Sequence, residues 1–263
     1  MRLGVLSDIH GNLHALRNVL ELLESEGVTR YLCAGDLVGY GPWPNECIDV
    51  IRGLDATCVA GNHDLIAVGR LDDAGISALA RRTLQWTASA LRPSGRAYLN
   101  GLPLETVSDG VLIAHGAIGD PRERVQTIAQ AQEQLEAMNA IDPALHVLVL
   151  GHTHRPFAYG ERRGTVLAGR RGSIRLPETE RHLVNPGQVG QARQRRVVAH
   201  CLVLDLGEGR AHFHAVPYDV AACERDLRKQ GLPPGTYHHE PPALHKRARR
   251  FVRHRMRRAQ RRI

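Results

Sequence analysis

Residues 61–64 read GNHD, and they follow a short apolar run, ATCVA, at residues 56–60. The run reads as a buried strand. A glycine, an amide, an imidazole and a carboxylate then arrive in succession. Gly, Asn and Asp are ordinary turn residues, and on that reading His63 is incidental. The other reading makes the strand exit part of a polar site, and the remaining strand exits decide between the two.

Four further apolar runs end in the same way. Their exits are Asp8-Ile9-His10, Gly35-Asp36, His115-Gly116 and Gly151-His152-Thr153-His154. Each delivers oxygen or imidazole groups at the edge where open α/β sheets place their sites. Asp8, Asp36 and Asn62 with His10, His115, His152 and His154 are too many ligands for one tetrahedral ion. They suit two divalent ions of borderline hardness, with positions left for water. Asp-x-His and His-x-His set two side chains on one side of an extended segment, because the strand period is two.

In order, the blocks DIHGN, GDLVGYGP, GNHD, HG and GHTH across residues 8–154 resemble those of the calcineurin-like metallophosphoesterases. NPGQVG at 185–190 is similar to a further block of the small bacterial phosphodiesterase branch. The resemblance covers most of residues 1–218. It implies that Asp8, His10, Asp36 and His154 hold one metal. Asp36, Asn62, His115 and His152 hold the other, with Asp36 shared. The metals are Mn, Fe, Zn, Ni or Co. It also implies that His63 is no ligand but faces the phosphate and protonates the leaving oxygen, with Asp64 fixing its tautomer. Asp64 has a second reading, as a cap of the helix that follows.

The pattern predicts a fold as well. RLGVLSD, YLCAGD, ATCVAGN, GVLIAHG and HVLVLGHTH read as strands. Between them, helices are predicted after Asn12, which is a good N-cap, over PNECIDVIRG, over residues 74–91, and from Asp120 to Met138 with Pro121 at the first position and Glu123 closing a capping box. After about residue 156 short strands follow one another without long helices. The segment GRRGSIRLPETER reads as an exposed basic loop. A βα-wound first part and a β-rich second part predict an α/β fold: two mixed sheets packed face to face and flanked by helices, a four-layer αββα sandwich with its site at strand C-terminal ends. The domain is expected over 1–220, with an extension over 221–263.

Bulk properties narrow the class. A 43% hydrophobic content supplies a sizeable core. No apolar run approaches the roughly 20 residues that span a bilayer, and the start turns polar too soon for a signal peptide, so the expected location is cytoplasmic. The five scattered cysteines read as reduced and buried. Of the 35 basic residues ten fall in 241–263, which has no acid, so 25 basic against 27 acidic residues leave the rest at −2. Apolar residues recur at three- and four-residue steps through 243–263, a basic amphipathic helix pattern. It fits docking on the domain, nucleic-acid phosphates, an anionic membrane or a solubilising terminus; docking with nucleic-acid contact ranks first.

The substrate is less legible. Relatives in the protein-phosphatase-like and dinucleoside-tetraphosphatase-like branches usually carry a phosphate-clamping arginine in the second block, near where Tyr40 stands here. A phenol makes no bidentate phosphate contact. The resemblance therefore implies a phosphodiesterase acting on nucleotide or nucleic-acid esters, with Tyr40 and Asn12 as candidate substrate contacts. Tyr40 and Trp43 stack on a base or pack under their loop. The alternatives are a phosphomonoesterase or protein phosphatase of the same fold, and a non-catalytic metal-binding scaffold.

Overall fold

The computed structural model describes residues 1–168 and 172–238. The basic amphipathic pattern at 243–263 lies outside the described residues. In chain order the elements are β1 Arg2–Leu6, α1 Leu13–Ser25, β2 Arg30–Cys33, α2 Pro44–Gly53, β3 Thr57–Cys58, α3 Asn62–Ala67, α4 Ala78–Ala90 and α5 Pro93–Gly101. Then follow β4 Glu105–Ser108, β5 Val111–Ala114, α6 Ile128–Ile141, β6 Val147–Val149, β7 Phe157–Gly160, β8 Gly164–Ala168, β9 Gly172–Arg175, β10 His182–Asn185, β11 Ala199–Asp205, β12 Arg210–Val216 and α7 Val220–Lys229.

They form two six-stranded mixed sheets, ordered β3-β2-β1-β11-β12-β9 and β4-β5-β6-β10-β7-β8. The parallel pairs are β1 with β2, β2 with β3, β5 with β6 and β6 with β10. Alternation along each strand sorts its side chains into layers. Leu3, Val5 and Leu32 from one sheet meet Ile113, Val149 and Val184 from the other in the central core. Leu6 and Cys33 turn outward to Leu16, Leu23 and Ile48 of the helices. On the far face Leu112 and Leu148 pack on Leu135 and Met138 of α6. This is the expected four-layer sandwich. All five cysteines are buried and free. No helix among the described residues is long and apolar enough to cross a membrane.

Some elements differ from expectation. The helix predicted from Asp120 begins at Ile128, because Asp120 closes a tight turn with Ala117 and accepts from the Arg122 N–H at 2.8 Å. Thr127 and Gln130 form the capping box instead. Within the predicted basic loop, residues 172–175 form an edge strand on β12. Two helices, α5 and α7, and two strands, β4 and β7, are additions to the elements expected from the sequence. The last helix, α7, packs on the domain. Its Cys223 and Leu227 are buried with Leu232 against Trp86, Tyr218 and Tyr237.

Candidate active site

The strand exits of both sheets meet at one edge. Hydrogen bonds between them carry the ladders past the strands: Asp8 N–H donates to Gly35 O at 3.0 Å, and Gly151 N–H to His115 O at 2.8 Å. The sheets are tied together where His152 N–H donates to Asp8 Oδ2 at 3.0 Å. Asp8, His10, Asp36, His152 and His154 all adopt left-handed backbone, with φ between 50° and 62°. Each such residue costs about 1–3 kcal/mol unless its surroundings enforce it, and such residues gather at functional sites. The Asp-x-His and His-x-His pairs therefore converge through left-handed turns, not through the extended spacing expected from the sequence.

Three groupings of ligand atoms result: Asp8, His10 and His154; Asp36, His115 and His152; and His10, Asp36 and His63. Asp36 lies between the first two, its Oδ2 standing 3.7 Å from His10 Nε2 and 3.3 Å from His115 Nε2. Asn62 Oδ1 joins the second at 3.2 Å from His115 Nε2. All of these residues are buried.

Outer contacts set the tautomers. His10 Nδ1 lies 3.0 Å from Val38 O, His115 Nδ1 2.6 Å from Ala34 O, and His154 Nδ1 2.8 Å from Gln191 O. A carbonyl only accepts, so each Nδ1 carries the proton and each Nε2 is turned inward. Burial holds the imidazoles of His10 and His154 below their ordinary range, hence neutral. Their two Nε2 lone pairs then face each other at 3.2 Å. Asp8 Oδ1 stands 3.1 Å from His154 Nε2 and makes no hydrogen bond. Converging lone pairs with no proton between them fit a divalent cation.

The other charges follow the same cluster. Burial works against the Asp36 carboxylate, but the imidazoles of His115 and His63 outweigh it and hold its pKa well below the ordinary range. Burial likewise disfavours a charged His115, and Asp36 overrides that, raising it to about 9. Burial lowers His152 to about 3 and His63 to about 4.

Each residue of GNHD has its own physical task. A Cβ at Gly61 would overlap the Asp36 carboxylate, so the glycine admits that side chain. Asn62 faces His115. His63 donates its backbone N–H to Asp36 Oδ1 at 2.8 Å, and its ring packs 4.8 Å from both Tyr40 and His10. The buried Nδ1 of His63 turns to Gly39, where a Cβ would not fit, and has no hydrogen-bond partner. This leaves Nε2 for the cavity that His63 lines.

Asp64 departs from the role implied by the resemblance. Its Oδ2 accepts from Gly61 N–H at 3.0 Å and its Oδ1 from Val38 N–H at 3.1 Å. The carboxylate caps α3 and braces the second block; it does not hold the His63 tautomer. Burial, then the Asp36 charge, pushes its pKa up to about 7, against the pull of those N–H donors.

Asn12 departs too. Its Oδ1 accepts from Ala15 N–H at 3.1 Å and its Nδ2 donates to Gly190 O at 2.9 Å. Both ends serve structure: the N-cap of α1 and the docking of NPGQVG on the β1 exit. That block also clamps the GHTH turn, with Asn185 Nδ2 donating to Gly151 O at 2.6 Å. Tyr40 lines the cavity but is 7% exposed, its ring packed 4.8 Å from those of His10 and His63. It offers little face to a base. Trp43 packs under the loop and donates from Nε1 to Asp226 Oδ2 at 3.2 Å.

Beside the ligands lies a cavity of about 550 Å³. Asp36, Asn62, His63, His152 and His154 form its floor, and Arg122, Arg124, Arg155 and Arg193 line its walls. The sequence reading missed these arginines. One signal was present, since Arg193 stands three residues past the NPGQVG block.

With this geometry in view, comparison with known proteins gives a consistent answer. The calcineurin-like phosphoesterase superfamily domain matches over residues 1–209. The chain belongs to that superfamily. An uncharacterised protein of Methanocaldococcus jannaschii is 30% identical over 233 residues, covering 88% of this chain and 93% of its own length. Phosphodiesterase YfcE of Escherichia coli is 28% identical over 184 residues, covering 68% of this chain and 82% of its own. A crystal structure of a metallophosphoesterase from Sphaerobacter thermophilus superposes with a TM-score of 0.79 at 30% identity, over 90% of this chain and 97% of that one. The match and the phosphodiesterase relative support phosphoester hydrolysis, and the Asp and His clusters described above are candidate sites for the divalent metals typical of the family.

Proposed function

We propose that this protein is a dimetal phosphodiesterase that cleaves a P–O ester of a nucleotide or a nucleic-acid end. The observation that carries the reading is two ligand clusters with the Asp36 carboxylate between them, beside a cavity that Asp36 and His63 both line. The relationship to a named phosphodiesterase supports the choice of diester.

Asp8, His10, Asp36 and His154 would hold one ion, and Asp36, Asn62, His115 and His152 the other. Bound there, Mn, Fe, Zn, Ni or Co would place positive charge at the phosphoryl oxygens and lower the pKa of a water. The protein's own groups do the rest. Carbonyls of Val38, Ala34 and Gln191 fix the imidazoles that face inward. His63 meets the leaving oxygen through Nε2 and gives it a proton. Tyr40 and Gly39 hold that ring in place. Asp64 keeps the second and third blocks in register. The unit spans 1–220, and residues 221–263 extend it. The uneven charge of 241–263 supports contact with nucleic-acid phosphates, to be tested by salt dependence before and after truncation at Ala243.

The deciding assay uses bis(p-nitrophenyl) phosphate and p-nitrophenyl phosphate with each metal in turn. Turnover of the diester that chelation abolishes is the expected result. A tenfold preference for the monoester would overturn the diester assignment, and inactivity with every metal would leave the scaffold reading in its place.

A further inference from the structure

The second block lacks an arginine, yet Arg122, Arg124, Arg155 and Arg193 line the cavity from elsewhere, and of these Arg124 and Arg193 each hydrogen-bond a residue that also lines it. Arg124 lies in the segment between β5 and α6, with Nε 3.3 Å from His152 Nε2. Arg193 lies between β10 and β11, its Nε donating to Gln191 Oε1 at 3.3 Å. Neither has a carboxylate within ion-pair distance among the described residues. Arg122, on the same wall, is already used: it pairs with Asp72 at 2.7 Å.

Arg193 is partly buried, which disfavours its charge, and Arg124 repels it. The carboxylates near it are those of Asp8 and Asp36. Asp8 and Asp36 are among the groups proposed to hold cations. With cations on them, two like-charged guanidinium groups would sit beside further positive charge, and an anion is what balances that set. Guanidinium forks match phosphoryl oxygens in shape as well as charge. Ala74, Ile76, Leu79 and Ala80 give the cavity an apolar stretch for the organic part of an ester. Its volume suits a small ligand.

We propose that Arg124 and Arg193 form a phosphoryl-binding subsite that stands in for the arginine absent from GDLVGYGP. It holds the non-bridging oxygens of a small soluble phosphoester beside the metal-ligand cluster. This rests on the phosphoesterase reading but is tested apart from turnover.

The test is titration of inorganic phosphate into Mn-saturated protein by calorimetry. Arg193→Gln and Arg124→Gln should each weaken phosphate binding by about tenfold to a hundredfold. Metal content and Tm should hold. Arg122→Gln, whose guanidinium is already paired, should bind phosphate as the wild type does. With a diester substrate, the two subsite variants should raise KM more than they lower kcat, because the contact exists before reaction. If Arg193→Gln does not fold, Arg193→Lys replaces it: charge kept and fork lost should give a partial defect. Wild-type phosphate affinity in the Arg124 and Arg193 variants would overturn the subsite, as would a loss confined to Arg122→Gln. Phosphate binding that depends on both arginines in a protein that hydrolyses no ester would instead overturn the hydrolase reading and leave the subsite standing.

Discussion

Asp36 and Arg193 face one cavity but reach it by different routes. Asp36 sits three residues past the end of β2, and the parallel pairing of β2 with β1 and β3 fixes where it emerges. Its neighbours on the floor emerge in the same way after β3 and β6, and the ligands behind them after β1 and β5. Arg193 lies eight residues beyond β10, held by a loop whose Val189 and Gly190 dock on Ser7 and Asp8. Sheet register thus builds the floor, and long-range loop docking builds the rim. The floor should accordingly answer to substitution in an all-or-none way, and the rim by degrees.

The sharpest way to break that contrast is Asp36→Asn. Its carboxylate stands between both clusters, so the variant should lose metal at each. The loss in affinity should exceed the 10- to 100-fold typical of an outer-sphere group. Elemental analysis of the purified variant reads this directly. Normal metal content would show that the clusters are independent.

His63→Ala comes next. The ring lines the cavity while only its backbone N–H touches Asp36, so metal content should hold. Turnover should fall by about 10²–10⁴ on esters with poor leaving groups, and by less on nitrophenyl esters, which need little protonation. Equal losses on both would make His63 a positioning residue.

Asp64→Asn separates a brace from a member of the reacting set. The amide keeps one acceptor where the carboxylate offers two, so an N–H of Gly61 or Val38 loses its partner. A destabilisation of about 1–3 kcal/mol is expected, read from denaturant unfolding. At temperatures where the variant stays folded, its dependence on leaving group should match the wild type. A dependence that moves with that of His63→Ala would restore the tautomer-holding role.

These contrasts explain what the sequence could disclose. Strand period, N-caps and five short blocks are local, so the two-sheet architecture and the floor residues are legible without coordinates. For Asn12 and Asp64 the sequence offers both the capping role and a role in the site, and does not choose between them. An Asn before a helix or an Asp after a histidine looks the same whether it meets a substrate or a backbone N–H, and only the partner decides. Helix α6 was placed too early because Asp120, Pro121 and Glu123 imitate a helix start that the turn at Ala117 forestalls. The rim arginines carry little local pattern: Arg193 has only its place just after NPGQVG, and Arg124 is oriented by His152, 28 residues away in the chain.

The smallest effect should come at α7, which has no residue in the cavity lining. Asp226 Oδ2 lies 2.8 Å from His14 Nε2 and accepts from Trp43 Nε1 at 3.2 Å, tying α7 to α1 and to the start of α2. The His14 contact, ahead of Lys229 and Trp43, lowers the Asp226 pKa to about 2. A carboxylate held below its unfolded value stabilises the fold at pH above that unfolded value, near 3.9. The contribution then fades as pH falls through the folded value. Asp226→Asn should therefore lower Tm by a few degrees at pH 5–7, and the gap to the wild type should close between about pH 4 and 2. Diester hydrolysis at temperatures where both proteins are folded should be unchanged, because neither His14 nor Asp226 lines the cavity. A Tm gap that persists unchanged to pH 2 would mean that the carboxylate contributes through packing and not through its charge. A loss of activity without a loss of stability would bring α7 into the site and blur the line between floor and rim.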